Sequence, residues 1–365
     1  GHGTQMGGLA LYDDLCHALP GHGPIDLVHR LESVKILRHN GDNDGKLYGA
    51  LTREAIARAE IERPDIQRVI CLAVSSKNDR DRGKPSAWSA AIDRLTSGAE
   101  DGYRRLIVVA AGNVLEEDQR DYPAVNATES IHDPAQAWNA LTIGAVTFKD
   151  DIDAAEYPGF SPIAPLGGLS PYGCSSQSWS PIWPIKPDVV FEGGNRARRP
   201  DGNTDSLRSL DLLSVHHQPD QRAFDTFWGT SAATALGARF AATLWARYPE
   251  YWPETVRGLM VHSARWTDPL IAAFVHKPYR KRDIASLLRH CGYGIPSRER
   301  ALWSAGDALT LIAEQELQPF EAVRARTGRV ERVRSRDVHL YSLPWPGEQL
   351  EMLGETMVAM RVTLS

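Results

Sequence analysis

The chain has 365 residues, 42% apolar and 24% charged, which is ordinary for a globular protein with a sizeable core and excludes a disordered or collagen-like chain. That length allows two or three domains. Lys plus Arg number 41 against 46 Asp plus Glu, a net charge of -5 that argues against bulk attraction to nucleic acid or to an anionic membrane.

In chain order, residues 4–18 predict a helix running to Pro20, and residues 33–37 a short strand. Residues 40–45 form a turn-rich loop, and residues 51–61 a helix closed by Pro64. Residues 67–74 are a near-continuous apolar run with β-branched side chains, which predicts a buried strand. A helix over 86–97 and two further buried strands over 105–111 and 141–146 follow. Buried strands alternating with helices give the fold class: α/β, a parallel sheet with helices on both faces. Residues 157–225 are rich in Gly, Pro, Ser and Trp and read as a long irregular region with one short strand near 188–191.

Residues 231–248 are almost free of charge and predict a central buried helix, followed by helices over 253–264, 283–290 and 297–316. After Pro319, residues 330–333, 338–343 and 357–363 alternate like antiparallel strands, the mark of a partial C-terminal β-rich module. No uncharged apolar run reaches the roughly 18 residues that a membrane helix needs, so neither membrane nor nucleic acid is an expected partner. Cys16, Cys71, Cys174 and Cys291 show no CxxC spacing and read as buried small hydrophobes. They lean towards a reducing compartment, which slightly favours the cytoplasm; the localisation is otherwise open.

Three short motifs carry chemistry. Gly1-His2-Gly3-Thr4 opens a helix, Ala110-Ala111-Gly112-Asn113 ends a buried strand, and Gly229-Thr230-Ser231 opens the buried helix. Each alone is weak: a Ser before a helix is usually a cap, and an Asn after Gly usually a turn residue. Together they can supply what acyl transfer needs, a nucleophile, a base and oxyanion donors. The tips of parallel strands are also where an open α/β sheet places its site.

In this order the motifs resemble those of the subtilisin-like serine proteases, the subtilases. Residues 33–37, 69–76, 139–146, 185–190 and 248–256 resemble further family segments, so the resemblance covers about residues 1–268. It implies Ser231 as nucleophile, His2 as general base, and the Asn113 side chain with the Ser231 backbone N–H as oxyanion hole. Leu72, Ala73, Val74, Ser75, Ala110, Ala111 and Gly112 would flank the substrate, pairing with it by strand addition. Phe227 and Trp228 would line the leaving-group side. The implied partner is a peptide or protein substrate, with no cofactor and no metal.

Three features depart from the family pattern. The Asp that precedes the His in the family is not within this sequence; Asp13 and Asp14 lie on the helix that His2 opens and do not reach back to its ring. Both chain ends read as cut, so the expectation is a separate N-terminal segment that supplies this Asp. Ala235 stands where Pro is usual, and Val74-Ser75-Ser76 where a Gly-rich strand end is usual. The expected division is 1–268 catalytic, 269–318 a helical extension and 319–365 the β-rich module. The rival reading is a pseudo-protease that binds without turnover; an esterase is disfavoured because no G-x-S-x-G surrounds Ser231. Asp42 and Asp44 with Asn40 and Asn43 fall short of a calcium loop, and His216-His217 lack zinc-site company.

Overall fold

The computed structural model describes residues 1–21, 23–37, 42–43, 47–77, 81–278, 280–306, 310–325 and 328–365. The loop expected over 40–45 therefore lies outside the described residues except for Asp42 and Asn43. The chain forms two compact units, Gly1–Ala301 with Thr363–Ser365, and Leu302–Val362.

The first unit is built on β1 (Val69–Leu72), β2 (Leu106–Ala110) and β3 (Leu141–Thr147). After two short strands, β4 (Ser161–Pro162) and β5 (Gly168–Leu169), comes β6 (Val189–Glu192). The spatial order β1-β2-β3-β6 is parallel throughout, in register at Val69–Leu106, Val108–Leu141 and Ile143–Val189, and β5 pairs antiparallel with the end of β3. Every residue of β2 and β3 is buried, which is why these strands read as continuous apolar runs rather than alternating ones. Fully burying one Val or Ile is worth about 1.5–3 kcal/mol, so Ile107, Val108 and Val109 alone tie β2 firmly to the core.

Helices cover both faces. The N-terminal pair is α1 (His2–Tyr12) and α2 (Leu15–Ala18), followed by α3 (Tyr48–Glu62), α4 (Ala87–Ser97) and α5 (Ala124–Thr128). Ile56 of α3 and Trp88, Ile92 and Leu95 of α4 pack on Leu72, Ile107 and Val109. A capping box at Ser86 and Ser89 starts α4, and Gly98 in the left-handed region ends it. Across the sheet, α6 (Gly229–Arg247) crosses β1, β2, β3 and β6. Its small residues allow this close approach: Gly237 faces Ile143 and Phe191 where a Cβ would be tight. The unit continues through α7 (Pro253–Ser263), α8 (Asp268–Phe274) and α9 (Lys281–Cys291) into α10 (Arg298–Gly306).

Several elements differ from the sequence expectation. The first helix is two, broken where Asp13 takes φ 69° and Asp14 caps α2. Asp14 has turned inward, to Lys149 and the Leu213 backbone N–H. Residues 33–37 are irregular, with Ser33, Val34 and Lys35 exposed; a strand exists only where a ladder partner takes its N–H groups, and among the described residues none does. The region 157–225 holds more strands than the one expected: β7 (Ala197–Arg198), β8 (Thr204–Asp205), β9 (Leu212–Val215) and β10 (Phe224–Phe227) besides β4, β5 and β6. Two-residue strands carry no readable period, but β9 and β10 form a real antiparallel ladder. The helix expected over 297–316 stops at Gly306; of the rest, 307–309 lie outside the described residues and 310–316 are irregular, with Leu311 exposed.

The second unit contains an antiparallel hairpin, β11 (Phe320–Arg324) with β12 (Val330–Ser335), and α11 (Gly347–Leu353). The strands expected over 338–343 and 357–363 are irregular. Val338, Leu340 and Met357 are largely exposed, and an apolar alternation without a ladder partner makes no strand. Among the described residues no helix is long and apolar enough to cross a membrane.

Candidate active site

The site gathers at the C-terminal tips of β1 and β2 and the N-terminus of α6. Asn113 follows β2 by three residues, and Ser231 is the third residue of α6. His2 is the first residue of α1, which packs lengthwise on α6. Met6, Leu9 and Ala10 of α1 share a core with Phe227, Ala232, Ala235 and Leu236. The two helices that carry His2 and Ser231 are therefore fixed by one apolar cluster. Ala235, which stands where the family pattern has Pro, is fully buried within it.

His2 Nε2 lies 3.2 Å from Ser231 Oγ, across 229 residues of sequence. The imidazole also meets Phe227 edge to face, with ring centroids 5.2 Å apart at 80°. Residue 2 as a whole is exposed, but the ring side that faces Ser231 and Phe227 is not, and this desolvation lowers the His2 pKa below its ordinary 6.5. Ser231 is buried, and it sits where the free N–H groups of a helix start favour negative charge.

Asn113 is oriented by Thr230. The Thr230 backbone N–H donates to Asn113 Oδ1 at 2.8 Å, and the Thr230 hydroxyl lies 3.0 Å from the same oxygen and 3.1 Å from the Gly112 carbonyl oxygen. A backbone N–H can only donate, so the contacted atom is the amide oxygen and the NH₂ points the other way. Among the described residues that NH₂ has no hydrogen-bond partner. The turn into α6 requires Gly229: its φ is +79°, its N–H donates to the Gly193 carbonyl at 2.7 Å, and a Cβ there would lie 2.9 Å from Asn113 Oδ1.

The residues expected to flank a substrate fall in two groups. Ala110, Ala111 and Gly112 lead directly into Asn113, and Ala73, Val74 and Ser75 extend from β1 beside them. Leu72, Ala110 and Ala111 are buried in the core, so only their backbone could meet a ligand, whereas Ser75 is exposed and its Oγ lies 3.4 Å from His132 Nδ1. Ser76 exchanges backbone hydrogen bonds with Asp133, which closes that strand end. Phe227 is buried against His2, and Trp228 beside it is exposed.

Sequence reasoning passed over Thr230, although it lies inside the Gly229-Thr230-Ser231 motif. It also passed over Gln5, whose amide donates to Asp225 Oδ2 and the Thr226 carbonyl and so ties α1 to β10. Asp13 and Asp14 are engaged elsewhere, by Arg239 and Lys149. Asp14 and Lys149 form a well-buried ion pair at 2.5 Å, and Asp14 Oδ1 also accepts from the Leu213 backbone. Those bonds hold the Asp14 carboxyl below its ordinary range, although burial alone would push it the other way. Removing one partner of such a pair leaves the other charge stranded. Asp14→Ala is expected to cost about 3–5 kcal/mol in urea unfolding. A loss under 1 kcal/mol would show that the pair is not tying the start of α2 to the segment after β3.

Comparison with known proteins gives the wider context. The model of the subtilase family matches residues 1–294. An uncharacterised protein of Sinorhizobium fredii (strain NBRC 101917 / NGR234), y4bN, is 29% identical over 286 residues, 73% of this chain and 62% of that protein. The chain thus spans about three fifths of the length of that relative. Among solved structures, a lanthipeptide protease aligns over 84% of this chain and 76% of its own at 16% identity and a TM-score of 0.48. Sphericase aligns over 72% of this chain and 69% of its own at 19% identity and a TM-score of 0.46. The family match runs through all three motifs and the whole sheet, and on that ground this chain belongs to the subtilase family of peptidases.

Proposed function

We propose that this chain is a serine endopeptidase that cleaves peptide bonds through an acyl-enzyme on Ser231. The observation that carries the reading is the 3.2 Å approach of His2 Nε2 to Ser231 Oγ at the start of a buried helix. In this reading His2, with its proton on Nδ1, takes the Ser231 proton as the hydroxyl attacks the scissile carbonyl. It then returns that proton to the leaving amine. The Asn113 NH₂ and the Ser231 backbone N–H receive the oxyanion. The substrate is an extended peptide or protein segment laid beside residues 72–75 and 110–112, with Phe227 and Trp228 towards the leaving group.

The reading includes a carboxylate that fixes the His2 tautomer from the Nδ1 side, supplied by a separate N-terminal segment. Among the described residues none donates to or accepts from Nδ1. Fluorophosphonate labelling tests the whole assignment, with Ser231→Ala as control and with and without such a segment. Labelling of the native serine, absent in the variant, is expected. A folded protein that takes no label in either form would instead be a binding module that keeps the fold.

The pH profile makes a second test. The base must be neutral to accept a proton, so kcat/KM rises with pH through the His2 pKa and is lost below it. Desolvation lowers that pKa, which places the acid limb for residues 1–365 below pH 6.5. A carboxylate brought to Nδ1 favours the charged ring and moves the limb upward. A profile flat from acid to alkaline would remove His2 from its role.

A further inference from the structure

Below the segment that carries Asn113 lies a second group of reactive side chains. Glu129 and His132 sit three residues apart, and Cys174 comes from a segment laced to theirs. Ser130 bridges to Ser175, and the Ile131 N–H donates to the Ser175 carbonyl at 3.1 Å. One carboxylate oxygen, one imidazole nitrogen and the thiol sulfur all lie within 4.8 Å of one another. Cys174 is 1% exposed and His132 9%. No hydrogen bond among the described residues uses the Cys174 sulfur.

The spacing within the group is informative. His132 Nε2 lies 3.4 Å from Glu129 Oε1. A charge-assisted N–H···O bond settles at about 2.7–2.9 Å, so this is a loose hydrogen bond. Two ligands bound at about 2.0–2.1 Å to one tetrahedral ion stand about 3.4 Å apart. The other ring nitrogen, Nδ1, faces Ser75 Oγ at 3.4 Å, as the free nitrogen of a metal-bound histidine does towards an outer partner.

We propose that Glu129, His132 and Cys174 form a binding site for a zinc-class divalent cation, with the fourth position open. One thiolate, one imidazole and one carboxylate in a compact cluster suit zinc better than calcium or magnesium, which take oxygen ligands. Binding is a proton exchange: the Cys174 S–H bond breaks, the sulfur–metal bond forms, and the proton leaves to solvent. Burial and the Glu129 charge hold the free thiol neutral, well above its ordinary pKa, so the metal must displace that proton. Lys77 Nζ touches both Glu129 oxygens, at 2.9 and 3.0 Å. An ionised carboxylate has about four lone-pair sites, so Oε1 can serve the ion while Lys77 keeps Oε2.

The site would bear directly on the cleft. His132 N–H donates to the Ala111 carbonyl at 2.9 Å, and its ring lies so close under Gly112 that a Cβ there would sit 2.3 Å from His132 Cγ. A bound ion would pin His132 and, through it, the strand end leading into Asn113. Zinc is expected to slow the hydrolysis proposed above, by stiffening the strand end that must adjust to the incoming substrate; this coupling rests on that reading, while the binding itself does not.

Cobalt titration of the chelator-washed full chain tests the binding without any assay of hydrolysis. One equivalent should raise a near-ultraviolet thiolate-to-cobalt charge-transfer band and the strong visible bands of tetrahedral cobalt. Cys174→Ser and His132→Gln should lose the charge-transfer and the tetrahedral bands respectively, while Cys16→Ser keeps both. Glu129→Gln, which keeps the side chain's size and an oxygen for Lys77, should weaken cobalt at least tenfold and serves if the buried variants do not fold. No band at equimolar cobalt, or a band surviving in Cys174→Ser, overturns the site. Zinc inhibition that persists in Cys174→Ser overturns the coupling alone, and a protein that hydrolyses nothing leaves the spectroscopic result standing.

Discussion

Ser231→Ala is expected to lose about 10⁶-fold in kcat, and His2→Ala about as much, in a form of the protein that carries the orienting carboxylate. The magnitude is that of subtilisin, where losing the nucleophile or the base costs about 2 × 10⁶ and where the effects do not multiply. The physical reason is that the two groups perform one act. The hydroxyl is a nucleophile only while Nε2 removes its proton, and Nε2 at 3.2 Å has no other described partner on that side. The Ser231→Ala/His2→Ala double variant should therefore be no slower than either single one. Loss equal to the product of the two would mean independent roles and would overturn the assignment. The fold is not at issue in the serine variant, because Ser231 is buried at the helix start and Ala removes one oxygen without adding volume. His2 is exposed at the first position of α1 and lies outside the Leu9–Phe227–Ala235 cluster, so its removal costs the edge contact with Phe227 but none of the contacts within that cluster.

What the sequence reveals and what it hides separate along one line, the range over which a pattern is local. The buried strands over 106–110 and 141–147 are legible because both faces are covered and every position must be apolar. The start of α6 is legible because Gly229, at φ +79°, imposes a turn and the small, uncharged run behind it reads as a buried helix. The meeting of His2 with Ser231 is not a local pattern at all, and in the sequence only the family resemblance brings the two together. Residues 33–37 show the opposite failure: Val34 and Ile36 alternate as a strand should, yet a strand also needs a neighbour whose free edge faces it. The hairpin β9–β10 goes unread because Pro, His and Gln in its connection look like more loop. Glu129, His132 and Cys174 are unremarkable in sequence; their grouping depends on the bridge between Ser130 and Ser175, which no spacing rule reports.

Asn113→Ala should lower kcat by about 10²–10³ with KM nearly unchanged, the range seen when subtilisin loses its side-chain oxyanion donor. The split between the two constants is the informative part. The amide would contact an oxygen that carries full negative charge only in the transition state, so it contributes little to the bound substrate. Its aim depends on Thr230, whose N–H and hydroxyl both contact Oδ1. Thr230→Val keeps the N–H and loses the hydroxyl, and should therefore cost less than Asn113→Ala, on the order of tenfold, as one of two orienting contacts is lost. Asn113→Asp gives the sharper contrast. It preserves size and can still accept from the Thr230 N–H, but it turns the donor into a second anion beside the developing one. Kinetics on a short peptide ester, alongside thermal unfolding to show that all three variants fold, measure the series. The expected order of damage is Asp, then Ala, then the Thr230 variant. An Asn113→Asp protein as active as the native one would mean that the oxyanion is held elsewhere, and that Asn113 serves only the turn between β2 and its bridge to Gly173.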